Sequence, residues 1–367
     1  MAASARNGIP PLPNLRFTLS FAGLRIPHRA LGIENALAYH DVRVSAHLRR
    51  NPTAYDVVHC WPGAALITCN AAAKLGIPAL REVPNTHTEN AYRVVEQVYQ
   101  ALDLTVPVGN SHRRNPVRLK REKAEYEAAF RLLVPSDYVA NTFRARGFSE
   151  EKLLRHQYGF DPAVFMPASE RRSGPLRAVF LGSGGPRKGL HVALKAWSCS
   201  QASKEGGRFS VIGRIEEEYR KIINDLKVPG VEIHDFTSEA QGALQSSDVL
   251  LLPSFEEGSA LVTYEAQGCG VIPLVSEAAG AMCAHGVTGL VHFPGDAVTL
   301  AAHLDSLSTD TGLLRTMRQA ILDQRGKLTW AAAAERLEAC YESALKEARS
   351  RHAPSRSLVP LCVDANS

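Results

Sequence analysis

Pro253-Ser-Phe-Glu-Glu-Gly-Ser-Ala-Leu-Val-Thr-Tyr-Glu-Ala-Gln-Gly-Cys-Gly270 is the stretch whose reading decides the fold. The apolar run Asp248-Val-Leu-Leu-Leu252 precedes it and reads as a buried strand ending at a proline. Ser254 to Ser259 is a polar, glycine-containing turn. A helix starts after it, with Ser259 as cap and Ala260, Leu261, Tyr264 and Glu265 inside. Val271-Ile-Pro-Leu-Val275 is the next strand. The unit is therefore strand, turn, helix, strand. Glu257 lies on the turn and Glu265 about two helical turns along. Free amides at a helix start suit an anion such as a phosphate. A carboxylate beside them can accept hydrogen bonds from two neighbouring hydroxyls. The stretch suits a ligand that is both phosphorylated and rich in hydroxyls.

The same alternation extends outward in both directions. Arg177 to Leu181 reads as a strand, followed by the glycine-rich turn Gly182-Ser-Gly-Gly-Pro-Arg-Lys-Gly189 and a helix carrying Leu190, Leu194 and Trp197 on one face. Phe209–Ile212, Val231–Phe236 and Leu290–Phe293 are further strands, and a short helix is expected from Ser238. Trp330, Ala334, Leu337, Tyr341 and Ala348 line one face of a long last helix. In the first half, Leu15–Phe21, Asp56–Cys60, Ile77–Val83, Leu104–Val108 and Arg131–Pro135 read as strands. Helices are expected over 31–50, over the alanine-rich run ending near Lys74, after a Thr88 cap, over 116–130 and from Ser136. Glu122, Glu125 and Glu127 read as a solvated face of one of them, and His59 as a structural residue. The polar run 168–175 marks a linker. The expected architecture is α/β, with two doubly wound Rossmann-like domains facing a cleft: residues 1–167, then 176–329, a helix over 330–348 crossing back to the first domain, and a disordered tail over 349–367.

Composition narrows the classes. The chain has 367 residues, 45% hydrophobic and 22% charged, enough for two cores. A net charge of +5 admits anionic substrates or a weak membrane-surface contact and does not argue for nucleic acid. Seven cysteines without a C-x-x-C pair read as reduced thiols, and no basic-plus-apolar leader is seen, so a cytoplasmic protein is expected. There is no Asp-x-Asp motif and no metal-ligand spacing, so no metal site is expected.

Pro253-Ser254, Glu257-Gly258, Glu265-Ala266 and Gly270 together resemble the Glu-x7-Glu segment of retaining glycosyltransferases of the GT-B fold, family-4 type. Val134-Pro-Ser136, Tyr158–Pro167, Gly286–Val291 with Pro294-Gly-Asp296, and the final helix extend the resemblance over about 131–345. It implies that Glu265 binds the nucleotide ribose and that Glu257 faces the donor sugar. It further implies that the backbone at Gly258, Ser259, Ala260 and Leu261 holds sugar and phosphate. Gly182, Ser183 and Gly184 of the glycine-rich turn would approach the diphosphate, with Arg187 and Lys188 neutralising it. Many members carry an arginine where this chain has Ser183. His87 resembles the family's first-domain histidine near the donor sugar; the alternative is a solvent-exposed loop histidine. The strand, Gly-Gly loop and helix that usually open the first domain have no counterpart before Leu15, so that domain is expected to lack its opening β-loop-α unit.

The implied activity is transfer of a hexosyl group from a UDP- or GDP-linked donor to a hydroxyl acceptor (sugar, lipid or small molecule), with retention and without a metal or other cofactor. Two alternatives stand beside it: a non-catalytic sugar-nucleotide-binding homologue or complex subunit, and, less favoured, a nucleotide-sugar epimerase.

Overall fold

The computed structural model describes residues 18–21, 24–25, 31–168, 174–235 and 239–352. A two-residue hairpin comes first, β1 (Ser20–Phe21) antiparallel to β2 (Leu24–Arg25). The expected strand from Leu15 is thus confined, within the described residues, to the hairpin. The helix Ile33–Arg50 follows. The first sheet is all parallel: β3 (Val58–Cys60), β4 (Ala79–Glu82), β5 (Arg131–Val134) and β6 (Leu153–Arg155), side by side in that order. Among the described residues nothing before Val58 adds a strand to it. Among those residues the order β3-β4-β5-β6 runs one way, without the reversal of a doubly wound domain.

The second sheet does reverse. Its strands are β7 (Arg177–Leu181), β8 (Arg208–Ile212), β9 (Val231–His234), β10 (Val249–Leu252), β11 (Ile272–Ser276) and β12 (Leu290–His292), in the spatial order β12-β11-β10-β7-β8-β9. The order changes direction between β7 and β10, which are neighbours (Val249 opposite Ala178). In open parallel sheets ligands bind beyond the carboxyl ends of the strands at that switch point. The chain leaves β7 at Gly182 and β10 at Pro253, the two motifs of the sequence. Gly189 draws them together. Its φ is +72°, and a Cβ there would stand 2.1 Å from the Pro253 carbonyl oxygen. The Phe255 amide donates to the Arg187 carbonyl at 2.8 Å.

The central strands are buried on both faces, as covered parallel strands require. Leu250, Leu251, Ile272 and Leu274 are fully buried against Leu194, Trp197 and Leu300. In the first domain, Leu132, Val134, Ala72 and Phe143 form one core. The opposite face of its sheet, Leu80 and Leu133, is covered by Cys340 and Ala344 of the last helix, Trp330–His352. That helix continues past the point where a disordered tail was expected; residues 353–367 lie outside the described ones. Residues 169–173 of the expected linker and 236–238 also lie outside. Leu104–Val108 is irregular, not a strand, and Leu104 N bonds back to the Tyr99 carbonyl.

Glu122 and Glu125 correct another expectation. They are buried and hold Arg81, itself 1% exposed, at 3.4 and 2.9 Å, while the Tyr126 ring lies 4.3 Å under the guanidinium. Glu125 also accepts from the amides of Gly63 (3.1 Å) and Ala65 (3.2 Å). Charges this deep persist only when paired. Glu127 alone of the three is exposed.

Acid sensitivity follows from buried histidines, two of them in the second domain. Burial lowers His191 to about 4 and His292 to about 4, from 6.5. His191 lies between the Tyr219 hydroxyl (2.7 Å) and the face of Phe255; neither ring nitrogen of His292 has a partner among the described residues. Their folded values lie below the unfolded one, so the unfolded chain takes up protons first as pH falls. Stability is full above pH 6.5 and drops toward pH 4, by at most on the order of 3 kcal/mol per histidine. The expected result is a melting temperature that falls over this window, and falls less in His292→Phe. An identical pH profile in that variant would remove His292 as a cause.

Candidate active site

The carboxyl ends of β7, β8 and β10 open on a cavity of about 770 Å³ between the domains. From the second domain it is lined by Gly182, Ser183, Lys188, Ile212, Gly213, Arg214, Glu257, Ser259, Ala260, Leu261 and Glu265; from the other side by Trp61, Pro84, Tyr158 and Trp330. The size is that of a pocket for a ligand of nucleotide dimensions. Of the residues that the sequence offers for the donor, seven line this cavity: Gly182, Ser183, Lys188, Ser259, Ala260, Leu261 and Glu265.

Glu257 is the charged centre. Lys188 Nζ lies 2.6 Å and Arg187 Nη1 3.1 Å from its Oε1. Burial pushes this carboxyl up, but the two cations outweigh it and hold it at about 2. Glu265 is the opposite case. It sits on the helix Leu261–Gly268, its carboxylate has no hydrogen bond or ion pair among the described residues, and it is raised by burial alone. It is a carboxylate with free acceptor sites facing the cavity, which suits a diol.

Three residues expected at the donor stand elsewhere. Arg187 points at the protein: its Nη1 donates to the Glu256 carbonyl at 2.5 Å and pairs with Glu256 Oε2 at 3.3 Å. Gly184 is packed under Ile215 and Leu190, where a Cβ would stand 2.9 and 3.2 Å from their side chains. Gly258 lies against the first domain, with a Cβ position 1.7 Å from the Pro84 carbonyl oxygen. His87 does not face the cavity. It is 1% exposed among Tyr126, Phe143 and Phe148, and burial lowers it to about 4. It is the N-cap of the helix Thr88–Gln100, a place expected for Thr88, with Nδ1 accepting from the Glu89 amide at 3.3 Å. Ser259 does not cap its helix either. The cap position is Ala260, while Ser259 Oγ donates to the Gly280 carbonyl and meets the Tyr264 hydroxyl, both at 2.8 Å.

Glu256 was not singled out in the sequence, yet it joins the domains. It is fully buried and accepts from the Thr86 amide (3.2 Å) and hydroxyl (2.8 Å) across the cleft, with His112 Nε2 at 3.4 Å. Ser136 Oγ donates to the Gly258 carbonyl at 2.5 Å beside it. The doubled glutamate Glu256-Glu257 was the available signal: both carboxylates meet Arg187 Nη1, at 3.3 and 3.1 Å, while Glu256 reaches Thr86 and Glu257 reaches Lys188.

Residues 175–310 match the family described as Glycosyl transferases group 1. The second domain is a glycosyl transferases group 1 domain. The whole chain has the architecture of GT-B glycosyltransferase structures. It superposes on the sucrose-phosphate synthase of Thermosynechococcus elongatus with a TM-score of 0.66 at 17% identity, covering 92% of this chain and 86% of that one. It superposes on Anabaena HepE, solved with UDP and glucose, at a TM-score of 0.59 and 15% identity, covering 82% and 81%. In sequence it is 28% identical over 326 residues to the D-inositol 3-phosphate glycosyltransferase of Kribbella flavida, 80% of this chain and 73% of that protein. It spans about half the length of some other curated relatives it matches. The group 1 domain holds every lining residue that the sequence assigned to a donor. Among the described residues no group of three or more His, Cys, Asp or Glu is placed to hold a metal ion, and no helix is long and apolar enough to cross a membrane.

Proposed function

We propose that the chain transfers a hexosyl group from a nucleotide-diphosphate sugar to a hydroxyl acceptor. The observation that carries this is the cavity at the β7/β10 switch point, where Lys188, Glu257, the start of the helix Leu261–Gly268 and Glu265 meet in one space. Glu265, with its acceptor sites facing the cavity, would take the ribose diol. Lys188 and the helix start would take the diphosphate, and Glu257 the sugar hydroxyls. HepE has been solved with UDP and with UDP-glucose, which supports a UDP-linked donor here. The resemblance to retaining enzymes supports front-face attack without a metal. The C1–O bond to the leaving phosphate breaks, a C1–O bond to the acceptor forms, and the acceptor proton passes to the leaving phosphate oxygen. Lys188 stabilises the charge that develops on the phosphate.

The test is donor binding followed by turnover. A thermal shift with UDP or GDP reports binding to the folded chain. NMR of the first-formed product reports its anomeric configuration, and chelation by EDTA tests metal independence. An inverted product, or activity lost on chelation and restored by magnesium, would overturn the mechanism. A non-catalytic binder is the second reading, favoured by the position of His87 away from the cavity. Nucleotide binding with no donor turnover under any acceptor would select it.

Two substitutions separate the roles. Glu265→Gln is expected to weaken UDP and uridine alike, and Lys188→Ala to weaken UDP far more than uridine. Each lost charge-assisted bond is worth about 1.5–3 kcal/mol. Isothermal titration reads both. Equal losses of the two ligands in Lys188→Ala would remove it from the phosphate site.

A further inference from the structure

The cavity has a second wall, lined by residues to which the sequence assigned no donor role. Trp61 and Trp330 are 59% and 47% exposed, yet both line it, with Tyr158 between the domains beside them. The third tryptophan, Trp197, is fully buried in the second-domain core. Large aromatic side chains left open inside a cavity mark a binding surface more often than a defect of packing.

Each of the three residues sits on an anchored segment of backbone or is itself bonded. The loop carrying Trp61 is held by Glu125 through the amides of Gly63 and Ala65. The Tyr158 hydroxyl donates to Glu82 at 2.7 Å, so this residue offers the cavity a ring and not a free donor. Glu82 stays charged as that acceptor. Burial raises it, but His156, His59 and Tyr158 outweigh burial and bring it to about 2. The Trp330 amide donates to the Phe160 carbonyl at 3.1 Å, where the last helix starts, and the Tyr158 and Trp330 rings stand 6.3 Å apart. Tyr158 and Trp330, held this way, lose little freedom when they bind.

We propose that Trp61, Tyr158 and Trp330 form the acceptor subsite, and that it takes the apolar face of a neutral hydroxylated ring, a pyranose, stacked on these side chains. This rests on the donor reading given above. The facing side, Glu257 and with it the hydroxyls of the donor sugar it holds, is polar and would be stripped of water without hydrogen bonds by a wholly apolar chain. A pyranose satisfies both walls: its C–H face meets the aromatic rings and its hydroxyl edge meets the polar side. None of the three wall residues carries a charge, so nothing in the subsite selects for a phosphate on the acceptor.

Two of the three tryptophans report directly on the subsite. The full chain saturated with UDP is titrated with the methyl α-glycopyranosides of glucose, galactose and mannose, and tryptophan emission is read. Parallel arms titrate uridine and farnesyl phosphate into the same UDP-saturated chain, where the donor site is already filled, and read UDP alone by thermal shift. At least one glycoside is expected to change the emission, with its apparent affinity falling roughly tenfold in Trp61→Phe and in Trp330→Phe. If Trp330→Phe fails to fold, Trp61→Phe on its loop carries the test. No response to any glycoside, a response to uridine, or a response to farnesyl phosphate alone would overturn the proposal. A glycoside response without a UDP thermal shift would uphold the subsite and overturn the donor reading.

Discussion

Glu256→Ala is expected to lower the unfolding free energy by about 3–5 kcal/mol, the cost of breaking a buried ion pair by removing one partner. Glu256 is fully buried and takes the Thr86 amide, the Thr86 hydroxyl and Arg187 at once. Removing the carboxylate leaves the Arg187 guanidinium with Glu257 as its only carboxylate partner among the described residues and leaves the Thr86 amide without an acceptor. Glu256→Gln keeps the shape and one acceptor oxygen, and is expected to lose less. Denaturant unfolding of both variants checks the order. A loss below about 1 kcal/mol in Glu256→Ala, the value of an exposed pair, would show that this contact is solvated and does not join the domains.

Gly258→Ala is expected to be as damaging through sterics alone. The added Cβ would stand 1.7 Å from the Pro84 carbonyl oxygen and 3.1 Å from the Asn85 Cα. Both are backbone, so no side-chain rotation relieves the clash. Ordinary overpacking costs about 1–3 kcal/mol, and a contact this short between two domains lies at or beyond the upper end. The molecule can answer only by parting the domains, which also breaks the Ser136 bond to the Gly258 carbonyl. Small-angle scattering should show expansion, and the melting temperature should fall. Sugar transfer, which requires water to be excluded from the cleft, should fall with them. Unchanged scattering and stability would mean that the closed arrangement is not the one held in solution.

What could be read beforehand divides by range. β10, the turn, the helix and β11 follow from local pattern: an apolar run, a proline stop, a glycine-bearing turn, a second apolar run. So does the glycine-rich turn after β7. The meeting of the two motifs follows from strand order, which the alternation of elements implied. The misreadings concern partners distant in the chain. Glu122 and Glu125 looked like a solvated face because their partner, Arg81, lies on a strand some forty residues away. The signal was present on the other side: Arg81-Glu82 are two charges inside an otherwise apolar strand, and a buried charge needs a partner. Ser259 looked like a cap because capping is local, but the Gly280 carbonyl claimed its hydroxyl. His87 looked like a cleft residue because it follows a strand end; three aromatic rings from later in the chain enclose it.

The last helix has a consequence for how the chain is made. Leu80 and Leu133 of the first sheet are covered by Cys340 and Ala344. A ribosome delivers those residues only after the whole second domain has emerged. One face of the first sheet therefore waits, apolar and open, through nearly the entire synthesis, and the second domain is free to fold before the first is finished. Domains commonly fold in order from the N-terminus as they are made; here the first to be started is the last to be sealed. A stop before Trp330 would remove a cover and not a tail, leaving a sheet that seeks another surface.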